Sequence, residues 1–218
     1  CSDTQGDLHF FRWDNHNRLV TGGGLAIPLG WRTRITERIA ERVQKVAPWL
    51  TLDGNVYPAV ENGKITWILD GYTTNSGYPY SKRINLADAT TNSLTTSSAA
   101  VVPLPNRTVN YIRNSVKATV DAYDGTVTLY KWDENDPVVN TWAKAFPGTL
   151  HNKSEMSAGL LAHIRYPEDL FGVQRDVLST YHVENAGAFY GGQDFWRVPT
   201  DPSSIGANNG VQPPYYTT

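Results

Sequence analysis

The chain has 218 residues, a formal net charge of -2 and a sequence pI of about 6.2, and 40% of its residues are hydrophobic. This charge balance excludes the basic surface that binding to nucleic acid or to an anionic membrane surface requires. The single cysteine, Cys1, excludes an internal disulfide framework. No apolar run reaches the ~18 residues of a membrane span, and the chain does not begin with Met. We therefore expect a soluble mature form or fragment.

Aromatic residues are unusually frequent, with seven Trp and twelve Tyr. Tyr and Trp combine an apolar body with a polar tip, which suits interfaces and sugar-binding surfaces as well as cores. Composition therefore leaves both roles open.

The first part of the chain predicts a short hairpin over residues 7–20 and a flexible joint at Gly22–Gly24. An amphipathic helix follows and ends at Pro48. Its apolar face is formed by residues at spacings of four, four and three, namely Ile35, Ile39, Val43 and Val46.

A β-hairpin is predicted next, because Asn62-Gly63 separates the apolar runs Val56–Val60 and Ile65–Leu69. Pro58 has no amide hydrogen to donate to a ladder, so the first of these strands is predicted to lie at a sheet edge. Further along, the Ser/Thr-rich residues 85–108 predict a flexible loop.

The most sharply patterned stretch is Asn110–Trp132, which predicts a helix, a glycine stop at Gly125 and a half-buried strand from Thr126 to Trp132. The helix is predicted from apolar residues at spacings of four, four and three: Ile112, Val116, Val120 and Tyr123. A second helical face would carry Arg113, Lys117 and Asp121, with Lys117 next to Asp121. Arg113 and Lys117 are expected to be solvated or to face a partner.

Three helices are predicted in the C-terminal part. Asp136 is placed as the N-cap of the first, with Pro137 at its first position. Ser154 opens the second, and Pro167 starts the third, whose predicted buried stripe is Leu170, Val173, Val177, Leu178 and Tyr181. An aromatic segment over residues 188–199 and an extended tail over residues 200–218 complete the chain.

These elements predict an α+β fold in which a small, mostly antiparallel sheet packs against several amphipathic helices. We see no internal repeat and no domain boundary, so residues 1–218 are predicted to form a single domain.

The sequence carries no recognisable catalytic or cofactor motif. Asp133, Asn135 and Asp136 offer oxygen ligands for calcium, but the glycine and distal glutamate of a calcium loop are missing, and helix capping already explains Asp136. No two histidines have the spacing that binds a metal on a helix, and no nucleophile elbow is present. We predict no catalytic residue, no metal and no cofactor.

One group of polar and aromatic residues has two interpretations: His163, Arg165, Tyr166, Glu168, Asp169, Gln174 and Arg175. The favoured interpretation is a local ion pair that fixes the turn between two helices, since exposed pairs of this kind are common. The alternative is a polar pocket in which Arg165 anchors an anion beside a helix N-terminus.

Several motifs in order along the chain resemble one family: Glu41–Leu50, Trp67–Thr74, Tyr78–Ser81, Asn110–Trp132, Arg165–Phe171 and Gln193–Trp196. They resemble the uncharacterised protein family UPF0182, large multi-pass membrane proteins found mainly in actinobacteria and cyanobacteria. The resemblance covers roughly residues 37–216, whereas residues 1–35 are atypical. Variants at Trp49, Lys82, Ile84 and Asn85 look actinobacterial.

The resemblance implies a compartment but no reaction. Members resemble one another in having about seven N-terminal membrane helices followed by a large region outside the membrane, and this chain resembles part of that region. The implied location is the extracytoplasmic side of the cell membrane, with the protein's own membrane-spanning region as a partner.

We first hypothesise a non-catalytic interaction domain that binds a protein or an envelope component. Its predicted ligand or partner surface is Asp70, Tyr72, Tyr78, Tyr80, Arg165, Asp194 and Trp196. One alternative is a carbohydrate- or lipid-handling domain, possibly enzymatic, with a stacking surface near Asp70 or Asp194 made by Trp67, Tyr72, Tyr78, Trp132 and Trp196. The other is a structural spacer beside a transporter-like membrane half.

Overall fold

The computed structural model describes residues 11–13, 19–21, 29–90 and 104–200. Strands β1 (Phe11–Trp13) and β2 (Leu19–Thr21) pair antiparallel, which confirms the predicted N-terminal hairpin. Helix α1 (Leu29–Val46) confirms the predicted amphipathic helix that stops before Pro48. The predicted joint at residues 22–24 and the predicted tail beyond residue 200 lie outside the described residues.

The centre of the molecule is a six-stranded sheet. Its strands are β3 (Thr51–Leu52), β4 (Tyr57–Glu61), β5 (Lys64–Asn75), β8 (Tyr111–Asp121), β9 (Val127–Lys131) and β10 (Leu150–Asn152). The order is β10-β9-β8-β5-β3, with β4 also paired to β5, and only the β10–β9 pairing is parallel. With its helices, this sheet confirms the predicted α+β class.

The hairpin of β4 and β5 forms as the sequence predicts. Asn62 and Gly63 both have positive φ, 50° and 76°, the conformation that a two-residue hairpin turn requires. In the described part of the chain, β4 pairs with β5 alone, so Pro58 lies on an edge strand where its missing amide hydrogen breaks no ladder.

The predicted helix over residues 110–123 is wrong. These residues form β8, which pairs antiparallel with β5 on one side and with β9 on the other. Gly125 does have a positive φ of 75°, but it lies in the β8–β9 turn instead of ending a helix. The strand predicted after it is confirmed as β9.

Spacing by four residues misled the helix prediction because four is also a multiple of the strand period of two. Val116 and Val120 are therefore neighbours on one face of a strand as well as of a helix. A register shift between Gly71 and Tyr72 of β5 leaves Ser115 of β8 without an opposite residue, which is a β-bulge. Beyond the bulge, Ile112 packs with a cluster on the other face of the sheet.

Helices cover both faces of the sheet, which is why β8 is buried on both sides. One face packs against α1 and α3 (Pro137–Ala145) through a cluster that contains Val43, Val116, Val120 and Val139. The other face packs against α4 (Ala158–His163), where Ile68 meets Leu160, and against α5 (Glu168–Tyr181).

The C-terminal helices begin where their caps predict, with one exception. Asp136 caps α3 by accepting hydrogen bonds from the Val138 and Val139 amides, as predicted. The second helix begins at Ala158, capped by Ser157, whereas the predicted start at Ser154 falls in a short 3-10 turn over Lys153–Glu155.

Helix α5 confirms the third prediction, but only part of its predicted stripe is buried. Leu170 and Val173 pack into the cluster that contains Tyr72, whereas Leu178 and Tyr181 are 55% and 52% exposed. A short helix, α6 (Ala186–Tyr190), follows.

The predicted Ser/Thr-rich loop is structured where it is described. Strand β6 (Ile84–Asn85) pairs with β7 (Thr108–Val109), and α2 (Leu86–Thr90) follows β6 directly. Residues 91–103, the centre of the predicted loop, lie outside the described residues.

Candidate functional site

A buried ion pair lies at the middle of the sheet. Asp70 of β5 stands opposite Lys117 of β8, and the two side chains form a salt bridge while only 2% and 1% exposed. The Asn114 amide donates to Asp70 Oδ1 at 2.7 Å, and Lys117 Nζ also donates to the Arg165 carbonyl oxygen at 3.1 Å. Burial raises the pKa of Asp70, although Lys117 and Asn114 act in the opposite direction. The prediction that Lys117 is solvated or faces a partner is therefore wrong.

A second group of buried acids joins the loop after β3 to the start of α5. The Tyr72 hydroxyl donates to Asp53, and Asp169 Oδ2 accepts from the Gly54 amide at 3.0 Å. The Asn55 side-chain amide donates to Glu168 Oε2 at 3.1 Å. These bonds hold the first turn of α5 against the sheet.

Two of these carboxyl groups have raised pKa values. Burial, together with the nearby Asp169 and Asp70, raises the pKa of Asp53 well above its ordinary value. Burial and the adjacent Asp169 raise the pKa of Glu168 to about 7. Because like charges lie close together in a poorly solvated place, this end of α5 is less stable when its carboxyl groups are ionised.

The oxygen atoms of Asp133 and Asp136, two of the candidate calcium ligands, are hydrogen-bonded to other protein groups. Asp136 accepts hydrogen bonds from Thr73, Ser115 and Tyr111 in addition to its capping bonds. Arg113 donates to Asp133 at 3.0 Å. Within the part of the chain that the structure describes, no three His, Cys, Asp or Glu side chains come together as metal ligands.

An open cavity of about 750 Å³ lies directly in front of the buried ion pair. Its residues come from β8, from the end of β9 and the following loop, from the 3-10 turn, and from the segment that leads into α5. The lining includes Asn114, Lys117, Trp132, Glu134, Lys153 and Arg165. Lys153 Nζ lies 3.9 Å from the centre of the Trp132 ring, and the Arg165 guanidinium lies 5.0 Å from the centre of the Tyr57 ring.

An acceptor in the wall of this cavity lacks a hydrogen-bond partner. Asn114 Oδ1 is buried and accepts no hydrogen bond from the residues that the structure describes, while the nitrogen of the same amide donates to Asp70. Buried polar atoms in proteins are almost always paired. The Oδ1 atom is itself closed off from solvent, so this unpaired acceptor is a feature of the cavity wall and not of its open surface.

The predicted partner residues do not form one surface. Asp70 and Tyr72 are 2% and 0% exposed, so placing them on a binding surface was wrong. They alternate along β5 on the face that α5 covers, and their polar atoms are used by Lys117 and Asp53. Arg165 lines the cavity.

The four other predicted residues are exposed but lie in two separate places. Tyr78 and Tyr80 belong to the segment after β5, where Tyr78 stacks on Tyr111. Asp194 and Trp196 lie beyond α6. Whether any of them binds a ligand or partner stays a prediction.

Exposed large apolar side chains recur between residues 178 and 196, and we call them together the aromatic surface: Leu178, Tyr181, Tyr190, Phe195 and Trp196. The Trp196 ring stacks on His182 with centroids 3.7 Å apart, and the Trp196 amide donates to the Ser179 carbonyl oxygen at 3.0 Å. Phe189 contacts both Tyr181 and Phe195, at 5.6 and 5.8 Å between centroids. These contacts hold the rings of Tyr181, Phe195 and Trp196 in place although they face solvent.

Sequence reasoning missed the cavity because its residues come from four separate segments. Lys117 was named but read as surface charge, and Lys153 was not singled out. Strand alternation could have found one part of the site, since it places Lys117 on the face opposite Val116 and Val120. Nothing in the sequence indicates that Asn114 lies close to the segment that contains Arg165.

The fold and the site define the class of protein as an α+β domain with an open cavity and an exposed aromatic end. The model of the uncharacterised protein family UPF0182 matches residues 32–218, and the chain belongs to this family.

Relatives in actinobacteria are much longer than this chain. A UPF0182 protein of Thermobifida fusca is 63% identical over 179 residues, which is 82% of this chain and 18% of that protein. A Frankia alni relative is 60% identical over 96% of this chain and 20% of its own length, and a Streptomyces coelicolor relative is 55% identical over 88% and 19%. The chain thus spans about a fifth of the length of these relatives.

No solved structure matches the chain. Among the described helices, none combines the length and the apolar character needed to cross a bilayer.

Proposed function

We propose that this chain is a non-catalytic interaction domain on the extracytoplasmic side of a multi-pass membrane protein. In this proposal the aromatic surface binds another segment of the same, longer polypeptide. The membrane setting is supported by family membership, because the family resemblance implies a multi-pass membrane protein. The binding role is supported by the aromatic surface.

The observation behind the binding role is that several large rings between residues 181 and 196 are exposed, and some of them are held by neighbouring rings. Tyr190 is 96% exposed, Trp196 is 55% exposed and Tyr181 is 52% exposed. Single exposed apolar residues need no explanation, but Tyr181, Phe195 and Trp196 each contact a neighbouring ring. Exposed apolar patches of this kind mark interaction sites. Trp and Tyr are also the residues that dominate binding energy at protein interfaces.

The length of the relatives favours a partner within the same polypeptide. About four-fifths of each relative lies outside the matched part. A segment in the same polypeptide meets the aromatic surface at a high effective concentration, so a modest patch is enough for stable packing.

Hydroxyl-radical footprinting tests this partner. The reactivities of Tyr190 and Trp196 are measured in the isolated 218-residue chain and in the full-length membrane protein purified in detergent. We expect both residues to be protected in the full-length protein. Tyr123, which is 68% exposed in the β8–β9 turn, serves as the control and should react equally in both samples.

The other hypotheses predict different footprints. Protection that appears only in intact envelopes, and not in detergent, would indicate an envelope component as the partner. Equal reactivity in all samples would contradict the binding role and favour the structural spacer.

The compartment needs its own experiment. In a background in which Cys1 and any cysteine elsewhere in the full-length protein are replaced by Ser, a Tyr123→Cys variant offers an exposed thiol. We expect a membrane-impermeant maleimide to label it on intact cells. Labelling that requires lysis would contradict the extracytoplasmic location.

The carbohydrate- or lipid-handling alternative loses its predicted stacking surface. Trp67 packs against the core, Tyr72 is buried, Tyr78 stacks on Tyr111 and Trp196 stacks on His182. Of the five rings, Trp132 alone lines the cavity. A sugar-binding role would therefore have to use the cavity itself.

A further inference from the structure

A second open cavity, of about 600 Å³, lies between the outer face of α1 and the β8–β9 turn. Its charged residues are three cations and one acid: Arg38, Arg42, Lys45 and Glu41. All four belong to α1, and their side chains are exposed. Although the whole chain has a net charge of -2, three cations against one acid give this cavity a local excess of positive charge.

Nearby acids do not neutralise these cations. In the part of the chain that the structure describes, none of the three cations forms a salt bridge. Glu41 precedes Lys45 by four residues on the helix, yet these two side chains do not pair either. Asp121 and Asp124, at the β8–β9 turn, accept hydrogen bonds from amides of that turn at 2.7 and 2.8 Å. The carboxylates of the turn therefore serve its backbone and leave the charge of the cavity uncompensated.

Arg42 is held against the turn because residue 125 is a glycine. Arg42 Nη1 donates to the Gly125 carbonyl oxygen at 3.4 Å, and a Cβ at Gly125 would collide with the same nitrogen. Gly125 also has a positive φ of 75°, which a residue with a side chain rarely adopts. Arg38 lies one helical turn before Arg42, where like charges repel each other. An anion bound between the two would relieve this repulsion.

Charge and shape indicate the class of anion. A phosphate monoester carries about -1.5 to -2 charges at pH 7, which matches the charge excess of the cavity better than the single charge of a carboxylate does. Guanidinium groups also bind phosphate oxygens through paired hydrogen bonds. Val46 and Val127 add apolar surface to the same cavity, and this surface suits the carbon body of an ester.

We propose that this cavity binds a phosphate monoester. Its phosphoryl group lies between Arg38, Arg42 and Lys45, and its carbon body contacts Val46 and Val127. The volume of about 600 Å³ falls within the ~300–1,000 Å³ typical of small-molecule sites. The site shares no residue with the aromatic surface and does not depend on the interaction role proposed above.

Titration of the 218-residue chain tests the proposal with glycerol 3-phosphate, inorganic phosphate and acetate. The readout is the backbone amide signal of Gly125 in ¹⁵N NMR spectra. We expect glycerol 3-phosphate to shift this signal. Acetate should bind at least about tenfold more weakly, because it offers fewer charged acceptors to the guanidinium groups. Inorganic phosphate lacks the carbon body and should bind about threefold more weakly.

Vesicles distinguish the two sources of a phosphate monoester, a soluble ester and a lipid headgroup. The chain is sedimented with phosphatidylcholine vesicles that contain or lack phosphatidic acid. Capture by the phosphatidic acid vesicles alone assigns the phosphate to a lipid headgroup. A shift with glycerol 3-phosphate without capture by either vesicle assigns it to a soluble ester.

Three variants locate the site. Arg38→Gln and Arg42→Gln should each weaken binding about tenfold. Glu41→Gln should tighten it about two- to threefold, the size of an exposed charge interaction, and damage to the fold would not tighten binding. Arg83→Gln is the matched control, because Arg83 is exposed just before β6 and is not part of the described cavity lining.

The proposal is overturned if glycerol 3-phosphate leaves the Gly125 signal unchanged and phosphatidic acid vesicles fail to capture the chain. It is also overturned if acetate or inorganic phosphate binds as tightly as glycerol 3-phosphate, if both arginine variants bind like the unmodified chain, or if Glu41→Gln weakens binding. Near-ultraviolet circular dichroism confirms that each variant is folded. Tyr190→Ser should leave the titration unchanged, so failure of the aromatic-surface proposal is recognised separately.

Discussion

The two halves of α5 differ in what surrounds them. In the N-terminal half, Asp169, Leu170, Gly172 and Val173 are buried, and polar bonds from residues 53–55 hold the first turn. In the C-terminal half, Leu178 and Tyr181 are more than half exposed. The same amphipathic pattern therefore faces a core at one end and solvent at the other.

This difference separates residues that support the fold from residues available for binding. Apolar area removed from water contributes roughly 25 cal/mol per Å² to stability, and the N-terminal half gains that contribution. The C-terminal half leaves its rings in water, so it can gain the same contribution only from a partner. Substitutions in the N-terminal half of α5 should therefore change the free energy of unfolding. Substitutions in the C-terminal half should instead change binding to a partner.

The largest effect is expected from Val116→Asp in β8, which tests the sheet that supports the N-terminal half. Val116 is 0% exposed in the cluster shared with α1 and α3, so the change buries an unpaired carboxylate. We expect a loss of more than about 4 kcal/mol in the free energy of unfolding, enough to unfold the domain. Chemical denaturation followed by circular dichroism measures it. The control Val60→Asp lies on the edge strand at 60% exposure and should change stability by less than about 0.5 kcal/mol. A stably folded Val116→Asp protein would contradict the described core.

Gly172→Ala tests the close packing of the N-terminal half. A Cβ at Gly172 would lie 3.0 Å from the backbone oxygen of Ala89 in α2, and a backbone atom does not move aside easily. Overpacking costs roughly 1–3 kcal/mol, and better helix propensity offsets about 1 kcal/mol of it. We expect a net loss of about 1 kcal/mol in a denaturation experiment. Gly187→Ala in α6 places a Cβ 3.3 Å from Asn185 Oδ1, a side-chain atom instead of a backbone atom, so its loss should be smaller than that of Gly172→Ala. Equal losses at both glycines would refute the comparison.

The acids at the start of α5 predict a specific pH dependence. The pKa of Glu168 is raised to about 7 in the folded chain, so the folded state binds more protons than the unfolded state between about pH 4.5 and 7. The stabilising contribution of protonated Glu168 is therefore fully present below about pH 4.5 and is lost as the pH rises through 7. Because this side chain is partly exposed, solvent screening reduces the effect to about 1 kcal/mol.

The measurement compares the unmodified chain with Glu168→Gln, since other groups titrate over the same range. We expect the difference in free energy of unfolding to favour Glu168→Gln progressively from pH 5 to pH 8. A difference that stays constant over this range would show that Glu168 is not perturbed in the folded chain.

The smallest stability effect is expected at the aromatic surface, which continues from the C-terminal half of α5 into α6. Tyr190→Ser removes a ring that is 96% exposed, so the free energy of unfolding should change by less than about 0.5 kcal/mol. The same variant should reduce the footprint protection of Trp196 in the full-length protein. A loss of several kcal/mol in the isolated chain would instead show that the aromatic surface is part of the core.

Local rules succeeded where a few adjacent residues decide the structure. Asn62-Gly63 supplies two residues that tolerate positive φ, so the hairpin turn depends on little else. Asp136 with Pro137 likewise specifies a helix start through short-range bonds. The family resemblance also followed from local motifs and is confirmed by the match over residues 32–218.

Predictions failed where distant parts of the chain decide the outcome. Val116 and Val120 fit either a helix or a strand, and only pairing with β5 and β9 selects the strand. Tyr72 is predicted from the sequence to be a surface ring, but in the structure its hydroxyl donates to Asp53 and its ring packs with residues of α5. Leu178 fits a buried stripe, but nothing among the described residues covers it.

The sequence by itself determined the α+β class, the turns and caps, and the family, because propensity and short-range hydrogen bonds act over a few residues. Tertiary structure alone decided that Lys117 is buried against Asp70 and that Asn114, Trp132, Lys153 and Arg165 line one cavity. It also decided that α5 is buried at one end and exposed at the other. The physical reason is that burial depends on which distant surfaces meet, and a periodic pattern states only which face is apolar.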